Sequence, residues 1–288
     1  MADPRIVINE DDGLDAARQF AQPFDAVVSL SFGGGSFCSG ALISPGAVLT
    51  ARHCLPFVGD DVIFGEDITN SPTFTTTVAS IEVPAPAPND VSTDLLDGGD
   101  VAILRLTQEV PDFIATPLGL TTETTSLIGQ TAVTVGYGQS GVGSINQGGT
   151  TDTVRLAGTN VIDAFGAPVG SSSSFDGDTI FSTDFDDGTP TGNTIPGSDP
   201  TPSEFEATTA RGDSGGPLLV NLHGAWLIAG VLSGGSNFDS SVGDISWWTG
   251  IQEFQTEIEA AGGVFVIPEP SAAALLVITL MGAAVRRR

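Results

Sequence analysis

Apolar and polar residues alternate over short stretches of this chain, and turn residues separate one stretch from the next. Short runs of this kind are typical of β-strands bounded by Gly, Pro, Asn, Asp or Ser. They occupy residues 26–32, 47–50, 61–64, 76–83, 101–106, 131–135, 153–162, 216–220 and 226–232. The pattern predicts an all-β protein made of antiparallel strands.

One stretch near the C-terminus has helical spacing instead. Ile251, Phe254 and Ile258 fall on one face of a helix, and Gly262 and Gly263 follow as a stop signal. The spacing therefore predicts a short helix over residues 251–260.

The charge of the chain is strongly negative. Its 288 residues include 35 acidic and 9 basic side chains, which gives a formal net charge of −26. Such a chain repels nucleic acid, which we exclude as a partner. The acids are scattered rather than massed in one tail, which indicates a soluble, exported surface. A chain of this length can bury a large core and form one functional unit.

A serine among glycines stands out as candidate chemistry. Ser214 lies in the segment Ala-Arg-Gly-Asp-Ser-Gly-Gly-Pro-Leu at 210–218. A serine hydroxyl is a weak nucleophile, so it needs a base and a group that orients the base. Of the two histidines, His223 lies in a predicted turn and is interpreted as an ordinary turn residue. The other, His53, follows an apolar run and is the candidate base.

The third member of such a site is an acid that can be buried beside the imidazole. Asp100 opens the apolar run 101–106 and meets that requirement. Taken singly, Ser214 fits a β-turn, His53 a core residue and Asp100 a strand cap. Their order along the chain favours a catalytic triad.

The order His53, Asp100, Ser214 resembles that of trypsin/chymotrypsin-type serine peptidases. The resemblance implies two antiparallel six-stranded β-barrels, at about 20–120 and 121–262, within a peptidase domain spanning 6–262. It implies a serine endopeptidase whose oxyanion hole is formed by the N–H groups of Gly212 and Ser214. We expect a monomer that acts on protein or peptide substrates and needs no cofactor.

Cys38 and Cys54 are the only cysteines of the chain. The resemblance implies a disulfide between them, which would fix the loop that carries His53. Such a bond requires an oxidising compartment and argues for export. The alternative is a pair of reduced, buried thiols.

Residues Arg5-Ile6-Val7 resemble the activation point of the same family. The resemblance implies that residues 1–5 are the remnant of a propeptide and that an activating protease cleaves after Arg5. The new ammonium group of Ile6 would then pair with Asp213. The alternative is that Ile6 and Val7 simply begin an edge strand.

The resemblance also assigns a specificity pocket. Thr208 corresponds to its base, Ser233, Gly234 and Gly235 to one wall, and Gly243 to the glycine that keeps it open. These residues are uncharged, which predicts a preference for an uncharged, apolar or aromatic side chain. The sequence leaves open whether a nearby acid enters the pocket; the candidates are Glu206, Asp239 and Asp244.

The segment Asp184-Phe185-Asp186-Asp187-Gly188 places three carboxylates close together. Oxygen ligands of this kind suit Ca²⁺, but the spacing is incomplete for a calcium loop. A solvated acidic loop is the favoured interpretation, with calcium binding as the alternative.

Residues 263–288 contain Pro268-Glu269-Pro270, an apolar stretch at 272–285 and three terminal arginines. The arrangement resembles the PEP-CTERM sorting tail of Gram-negative bacteria, with a short transmembrane segment that an exosortase processes. We therefore expect an exported protein at the cell surface, transiently anchored in the membrane. The alternative is a buried or simple anchoring helix. Because residues 1–12 carry no apolar leader, we expect the natural start to lie upstream.

A second class of function uses the same fold without chemistry. A catalytically inactive surface protein would use the barrels and the acidic loops for adhesion or matrix binding, since fold does not determine function.

Overall fold

The computed structural model describes residues 5–8, 13–32, 35–54, 57–84, 95–142, 153–171, 177–237 and 240–266. Residues 267–288, which make up most of the predicted sorting segment at 263–288, lie outside these residues, as does Asp239. The first part of the chain contains β1 (Arg5–Ile8), α1 (Leu14–Ala21), β2 (Val27–Phe32), β3 (Gly35–Ser44), β4 (Ala47–Thr50), β5 (Asp61–Phe64), β6 (Phe74–Glu82), β7 (Ala102–Leu106) and β8 (Gly119–Leu120). The second part contains β9 (Thr131–Gly136), β10 (Ser140–Val142), β11 (Leu156–Val161), β12 (Ala164–Gly166), β13 (Ile180–Asp184), β14 (Ala207–Thr208), β15 (Pro217–Leu222), β16 (Ala225–Gly235), β17 (Ile245–Gly250) and α2 (Gln255–Ala260).

Six strands of the first part close into a barrel in the order β2-β3-β4-β7-β6-β5. Side chains along these strands alternate between the interior of the barrel and its surface. In β5, Val62 and Phe64 are buried while the residues before them are partly exposed. Every run predicted as a strand overlaps a strand of the structure. The all-β prediction and the first six-stranded barrel are confirmed.

The second predicted barrel differs from expectation. Its strands form an eight-stranded sheet that runs β11-β9-β15-β16-β17-β13-β12, with β8 paired to β16. The sheet curls, and its first and last strands are consecutive in the chain. The Ile162 N–H donates to the Gln130 carbonyl at 3.0 Å, whereas the Asp163 N–H donates to the Ser182 carbonyl at 3.0 Å. The chain therefore changes partners at this bend, and the second predicted barrel takes the form of a curled half-barrel of eight strands.

Helix α1 is a feature that the sequence pattern did not predict. Ala17 and Ala21 on one face of it are buried, and Ala17 clusters with Leu156 and Ala207. The Arg155 side chain, itself buried, donates from Nε to the Ala21 carbonyl at 3.3 Å. This contact supplies a partner for a carbonyl at the C-terminal end of the helix, where carbonyls lack intrahelical donors. The helix thereby packs against the start of β11, through Leu156, and against β14, through Ala207.

The predicted C-terminal helix is confirmed as a 3₁₀ turn (Gln252–Phe254) followed by α2. Phe254 and Ile258 are buried on one face, and Gly262 has a φ of +88° where the helix ends. Within the part of the chain that the structure describes, no helix has the length and apolarity needed to cross a membrane.

Candidate active site

His53 and Asp100 meet because β4 and β7 are antiparallel neighbours. Thr50 pairs with Ala102, so the residues that follow β4 and those that precede β7 lie at the same end of the barrel. His53 occupies a 3₁₀ turn (Arg52–Cys54) just after β4, and Asp100 lies just before β7. The pairing of two strands thus brings together residues 47 positions apart.

The Asp100 carboxylate holds His53 at two points. One oxygen accepts the His53 backbone N–H at 2.8 Å, and the other lies 2.7 Å from His53 Nδ1. Asp100 is only 3% exposed, so water competes little for these contacts. The carboxylate fixes both the position of the turn and the plane of the ring, which leaves Nε2 as the nitrogen for a further partner.

The predicted disulfide between Cys38 and Cys54 is confirmed, with a Cα–Cα distance of 6.1 Å. It joins β3 to the 3₁₀ turn that carries His53, over a sequence separation of 16 residues. In the chain-entropy model a loop of this size stabilises the folded state by about 3 kcal/mol. The turn beside the imidazole is therefore held covalently.

Ser214 lies in a loop between β14 and β15 whose shape depends on glycine. Gly212 and Gly215 have φ values of +97° and +80°, in the left-handed region that side chains disfavour. A Cβ at Gly215 would overlap the Ser39 carbonyl and the Thr50 hydroxyl. Glycine thus allows the loop of the second sheet to press against the first barrel.

The oxyanion-hole candidates lie in the same loop. Among the hydrogen bonds of the described residues, neither the Gly212 N–H nor the Ser214 N–H has a protein acceptor. Both residues line the cleft between the two sheets. Two unoccupied backbone donors beside a serine hydroxyl suit a developing negative charge on a substrate oxygen.

The cleft has a volume of about 470 Å³ and includes residues from both halves of the molecule. His53 and Ser214 both line it, together with Ser233, Gly234 and Gly235 of the predicted pocket wall. Its other described lining residues are Phe37, Cys38, Cys54, Leu95, Thr209, Ala210, Arg211, Gly212, Leu232, Asn237 and Ser240. None of the described lining residues is acidic. His53 and Ser214 make no hydrogen bond to each other; such contacts commonly tighten only in the complex with substrate.

Two residues predicted for the pocket do not line the cleft. Thr208 is buried behind it, with its hydroxyl 3.1 Å from the Ser246 hydroxyl, and its neighbour Thr209 lines the cleft instead. Successive residues of extended chain point to opposite sides, which explains the exchange. Gly243 lies against another segment, donating to Phe185 and accepting from Thr194, both at 2.8 Å.

The two described acids that were candidates for the pocket are held elsewhere. Asp244 accepts hydrogen bonds from the Asn237 amide and from the Ser241 N–H, and Glu206 accepts from the Ser203 N–H at 2.7 Å. Neither carboxylate lines the cleft. Burial raises the pKa of Glu206 to about 7.

Asp213 precedes Ser214 in the same loop, and its side chain is buried. Its carboxylate accepts the N–H groups of Gly138 and Ala210 at 2.8 and 2.9 Å, and burial raises its pKa to about 7. A Cβ at Gly136 or Gly138 would overlap this carboxylate. Strand β1 lies between β10 and β14, so Val7 pairs with Thr208 close to this loop.

The acidic segment at 184–188 is not a solvated loop throughout. Asp184 and Asp186 are both buried, and the Asp184 carboxylate accepts the N–H groups of Thr194 and Ile195 at 2.5 and 2.8 Å. Burial and the nearby Asp184 carboxylate raise the pKa of Asp163 to about 8. The favoured interpretation of this segment was therefore wrong for two of its three acids.

The calcium alternative for this segment stays a prediction. In the described ranges, the one group of three metal-capable side chains is Cys38, His53 and Cys54. Two of these form the disulfide, so they offer no thiolate to a metal.

Sequence reasoning missed one residue that holds the site together. Ser39, fully buried in β3, donates its N–H to the Ser214 carbonyl at 2.7 Å and its hydroxyl to the Gly212 carbonyl at 3.1 Å. A serine in a strand gives no local signal for this role. The interpretation of His223 as a turn residue is confirmed, since it is exposed between β15 and β16 with a φ of +56°.

Comparison with known proteins agrees with the overall fold. A family model described as Trypsin matches residues 13–258. The structure is similar to that of neuropsin, a serine protease expressed in the limbic system of mouse brain, with a TM-score of 0.60. The two chains are 19% identical, over 83% of this chain and 94% of that one, a likeness that concerns the fold. No curated protein matches the chain.

Proposed function

Because this chain belongs to the trypsin family, we propose that it is a serine endopeptidase that uses His53, Asp100 and Ser214. One observation carries the proposal: the buried Asp100 carboxylate fixes His53 at 2.7 and 2.8 Å, in a cleft that Ser214 also lines. A carboxylate on Nδ1 stabilises the tautomer in which Nε2 can accept a proton.

In the proposed reaction, Ser214 Oγ attacks the carbonyl carbon of the peptide bond while His53 Nε2 takes the hydroxyl proton. The C–N bond then breaks, and the imidazolium gives its proton to the leaving amine. Water hydrolyses the resulting ester by the same route, which releases the carboxylic acid and restores the serine. Asp100 stabilises the imidazolium that forms on His53.

The N–H groups of Gly212 and Ser214 would stabilise the tetrahedral intermediate. Such donors act in a cleft where water is partly excluded, and losing one typically lowers kcat by about 100-fold to 1,000-fold. The left-handed φ of Gly212 supports this assignment, because the turn frees its N–H from the hydrogen bonding of a strand.

For the substrate we propose an uncharged side chain at the cleaved bond. The support is the described lining of the cleft near Thr209, Leu232 and Ser240, which contains no acid. Thr208, at the position the family resemblance gives to the pocket base, is uncharged as well. Profiling cleavage in a peptide library should show apolar or aromatic residues before the cut; a strict requirement for Arg or Lys would contradict this.

We also propose activation by cleavage after Arg5. The placement of β1 between β10 and β14 supports it, since the chain near Ile6 then runs beside the loop that holds Asp213. A buried carboxylate with a raised pKa gains from a new cationic partner. N-terminal sequencing of active enzyme should find Ile6 first; fully active protein that begins at Met1 or Ala2 would contradict the proposal.

Export remains a proposal that rests on the C-terminal tail and on the disulfide. The tail at 263–288 supports sorting by an exosortase to the surface of a Gram-negative cell, where an oxidising environment preserves the Cys38–Cys54 bond. Mass spectrometry of the mature protein should show that this tail has been removed. An intact C-terminus on surface-exposed protein would exclude processing.

A fluorophosphonate probe tests the central proposal. We expect labelling of the wild type, after cleavage at Arg5, and no labelling of Ser214→Ala. The non-catalytic alternative predicts no labelling of either protein. Hydrolysis of a casein substrate by the wild type alone would complete the test.

A further inference from the structure

The loop that carries the nucleophile belongs to the second sheet, yet one residue of the first barrel holds its backbone. Ser39 of β3 donates its N–H to the Ser214 carbonyl at 2.7 Å. Its hydroxyl donates to the Gly212 carbonyl at 3.1 Å and accepts the Tyr137 N–H at 3.0 Å. The Ser39 carbonyl accepts from the Thr50 hydroxyl at 2.8 Å, so each polar group of Ser39 is engaged.

The hydroxyl contact matters because Gly212 has no side chain to fix its conformation. A glycine samples positive and negative φ about equally, so neighbouring contacts must select the observed φ of +97°. The Ser39 hydroxyl holds the carbonyl of the same residue whose N–H is a candidate oxyanion donor. A rotation of Gly212 that moved this N–H would have to break that hydrogen bond.

Within the described residues, no other side-chain hydroxyl donates a hydrogen bond to the Gly212 carbonyl. Tyr137 is fully buried, and its N–H would also lose its acceptor if the hydroxyl were removed. A buried polar group without a partner is costly. In Ser39→Ala the Gly212 carbonyl and the Tyr137 N–H would both lose a partner, so the local backbone would shift to find new ones. The local change would fall on the oxyanion loop rather than on the barrel.

We propose that Ser39 is a positioning residue for the oxyanion hole, an inference that rests on the proposed peptidase function. Its hydroxyl acts through the Gly212 backbone and makes no contact with the reacting atoms. It keeps the Gly212 N–H in the orientation needed when negative charge develops on the substrate carbonyl oxygen. The orientation of the Gly212 N–H in the second sheet thus depends on the Ser39 hydroxyl of the first barrel.

The test compares Ser39→Ala with Ser44→Ala. Ser44 lies on the same strand and also donates its hydroxyl to a distant backbone carbonyl, that of Ala261, at 2.8 Å. Ser44→Ala loses one interior hydrogen bond and Ser39→Ala loses two, but only Ser39→Ala loses a hydrogen bond to the nucleophile loop. For Ser39→Ala we expect kcat to fall by about 10-fold to 100-fold, somewhat less than for loss of an oxyanion donor itself. KM should stay within about twofold, since the contact acts on the transition state.

A second readout separates positioning from general loss of structure. The affinity for a peptide boronic acid, which forms a tetrahedral adduct with serine, should fall in Ser39→Ala by a factor similar to that for kcat. Ser44→Ala should keep the wild-type kcat and boronate affinity while losing some thermal stability, because it too gives up an interior hydrogen bond. Equal losses of kcat in the two variants, or unchanged kcat in a folded Ser39→Ala protein, would overturn the proposal.

Amide hydrogen exchange distinguishes this proposal from the proposed function. Exchange at residues 210–216 should be faster in Ser39→Ala than in the wild type, whether or not the protein is a peptidase. Faster exchange in a protein whose wild type, once cleaved after Arg5, neither cleaves casein nor reacts with fluorophosphonate would overturn the peptidase function and the catalytic role of Ser39 together. An active wild type with unchanged exchange and kcat in Ser39→Ala would overturn the role of Ser39 alone.

Discussion

His53 and Ser214 face the same cleft, but the two halves of the molecule hold them by different means. On the side of His53, a disulfide fixes the turn and a buried carboxylate fixes the ring. On the side of Ser214, the loop depends on left-handed glycines, on main-chain hydrogen bonds and on the buried Asp213. The histidine side is therefore sensitive to oxidation state, whereas the serine side is sensitive to the protonation of buried acids.

The largest expected effect is on catalysis and tests whether the histidine side works through Asp100. In Asp100→Asn the ring would be held in the wrong tautomer, and we expect kcat to fall by about 10,000-fold. Steady-state kinetics on a peptide substrate measures this. Asp112→Asn, at an exposed position, is the control and should keep wild-type activity. A loss of less than tenfold in Asp100→Asn would show that the carboxylate does not act through His53.

The second effect concerns stability on the histidine side. Replacing Cys38 and Cys54 with alanine should lower the free energy of unfolding by about 3 kcal/mol, since the cross-link no longer restricts the unfolded chain. Chemical denaturation measures the change, and the wild type treated with dithiothreitol should behave like the double variant. If removing the bond left the stability unchanged, the disulfide would not be what secures this half.

The third effect is the pH dependence expected of the serine side. In the folded protein the pKa values of Glu206 and Asp213 are raised to about 7, and that of Asp163 to about 8, against ordinary values of 4.5 for Glu and 3.8 for Asp. Between about pH 4 and pH 8 the folded state therefore binds more protons than the unfolded state. The contribution of these three acids to the free energy of unfolding is greatest below about pH 4 and falls as the pH rises towards 8. Thermal unfolding of the uncleaved chain at pH 5 and pH 8 should show a lower midpoint at pH 8.

Asp163→Asn should weaken that pH dependence, which makes it the smallest and most specific of the expected effects. The amide oxygen can still accept the Asp184 N–H, as the Asp163 carboxylate does at 3.2 Å. The amide carries no charge to be buried beside Asp184, so the variant should gain about 1 kcal/mol at pH 8. Asp25→Asn, an exposed change, should leave the pH profile as it is. An identical loss of stability between pH 5 and pH 8 in Asp163→Asn would remove Asp163 from the explanation.

The two halves also differed in how much their sequence could predict. Strands such as β5 alternate buried and exposed residues and were found directly, as were the strand ends that carry His53 and Asp100. Strand β17 is buried along its whole length and shows no alternation. Helix α1 is short, and its buried face consists mainly of alanine, so its pattern was weak.

The site was predicted where it depends on residue type and missed where it depends on loop geometry. The serine, the histidine and the cysteines have distinctive chemistry, and a family resemblance assigns them roles. Thr209 lines the cleft where Thr208 was predicted to, because successive side chains of an extended chain point to opposite sides. The anchoring by Ser39 depends on contacts between residues 173 positions apart, which no local pattern records.

The first barrel is complete within residues 27–106, and this has a consequence for the order of events during synthesis. The disulfide and the contact between His53 and Asp100 use only residues from this part of the chain. The base and the acid are therefore translated before the nucleophile, although the core around their barrel also includes later residues such as Val133, Leu219 and Ile258. The proposed triad is complete only once Ser214 of the 288 residues has been added, so a chain that stalls midway lacks the nucleophile.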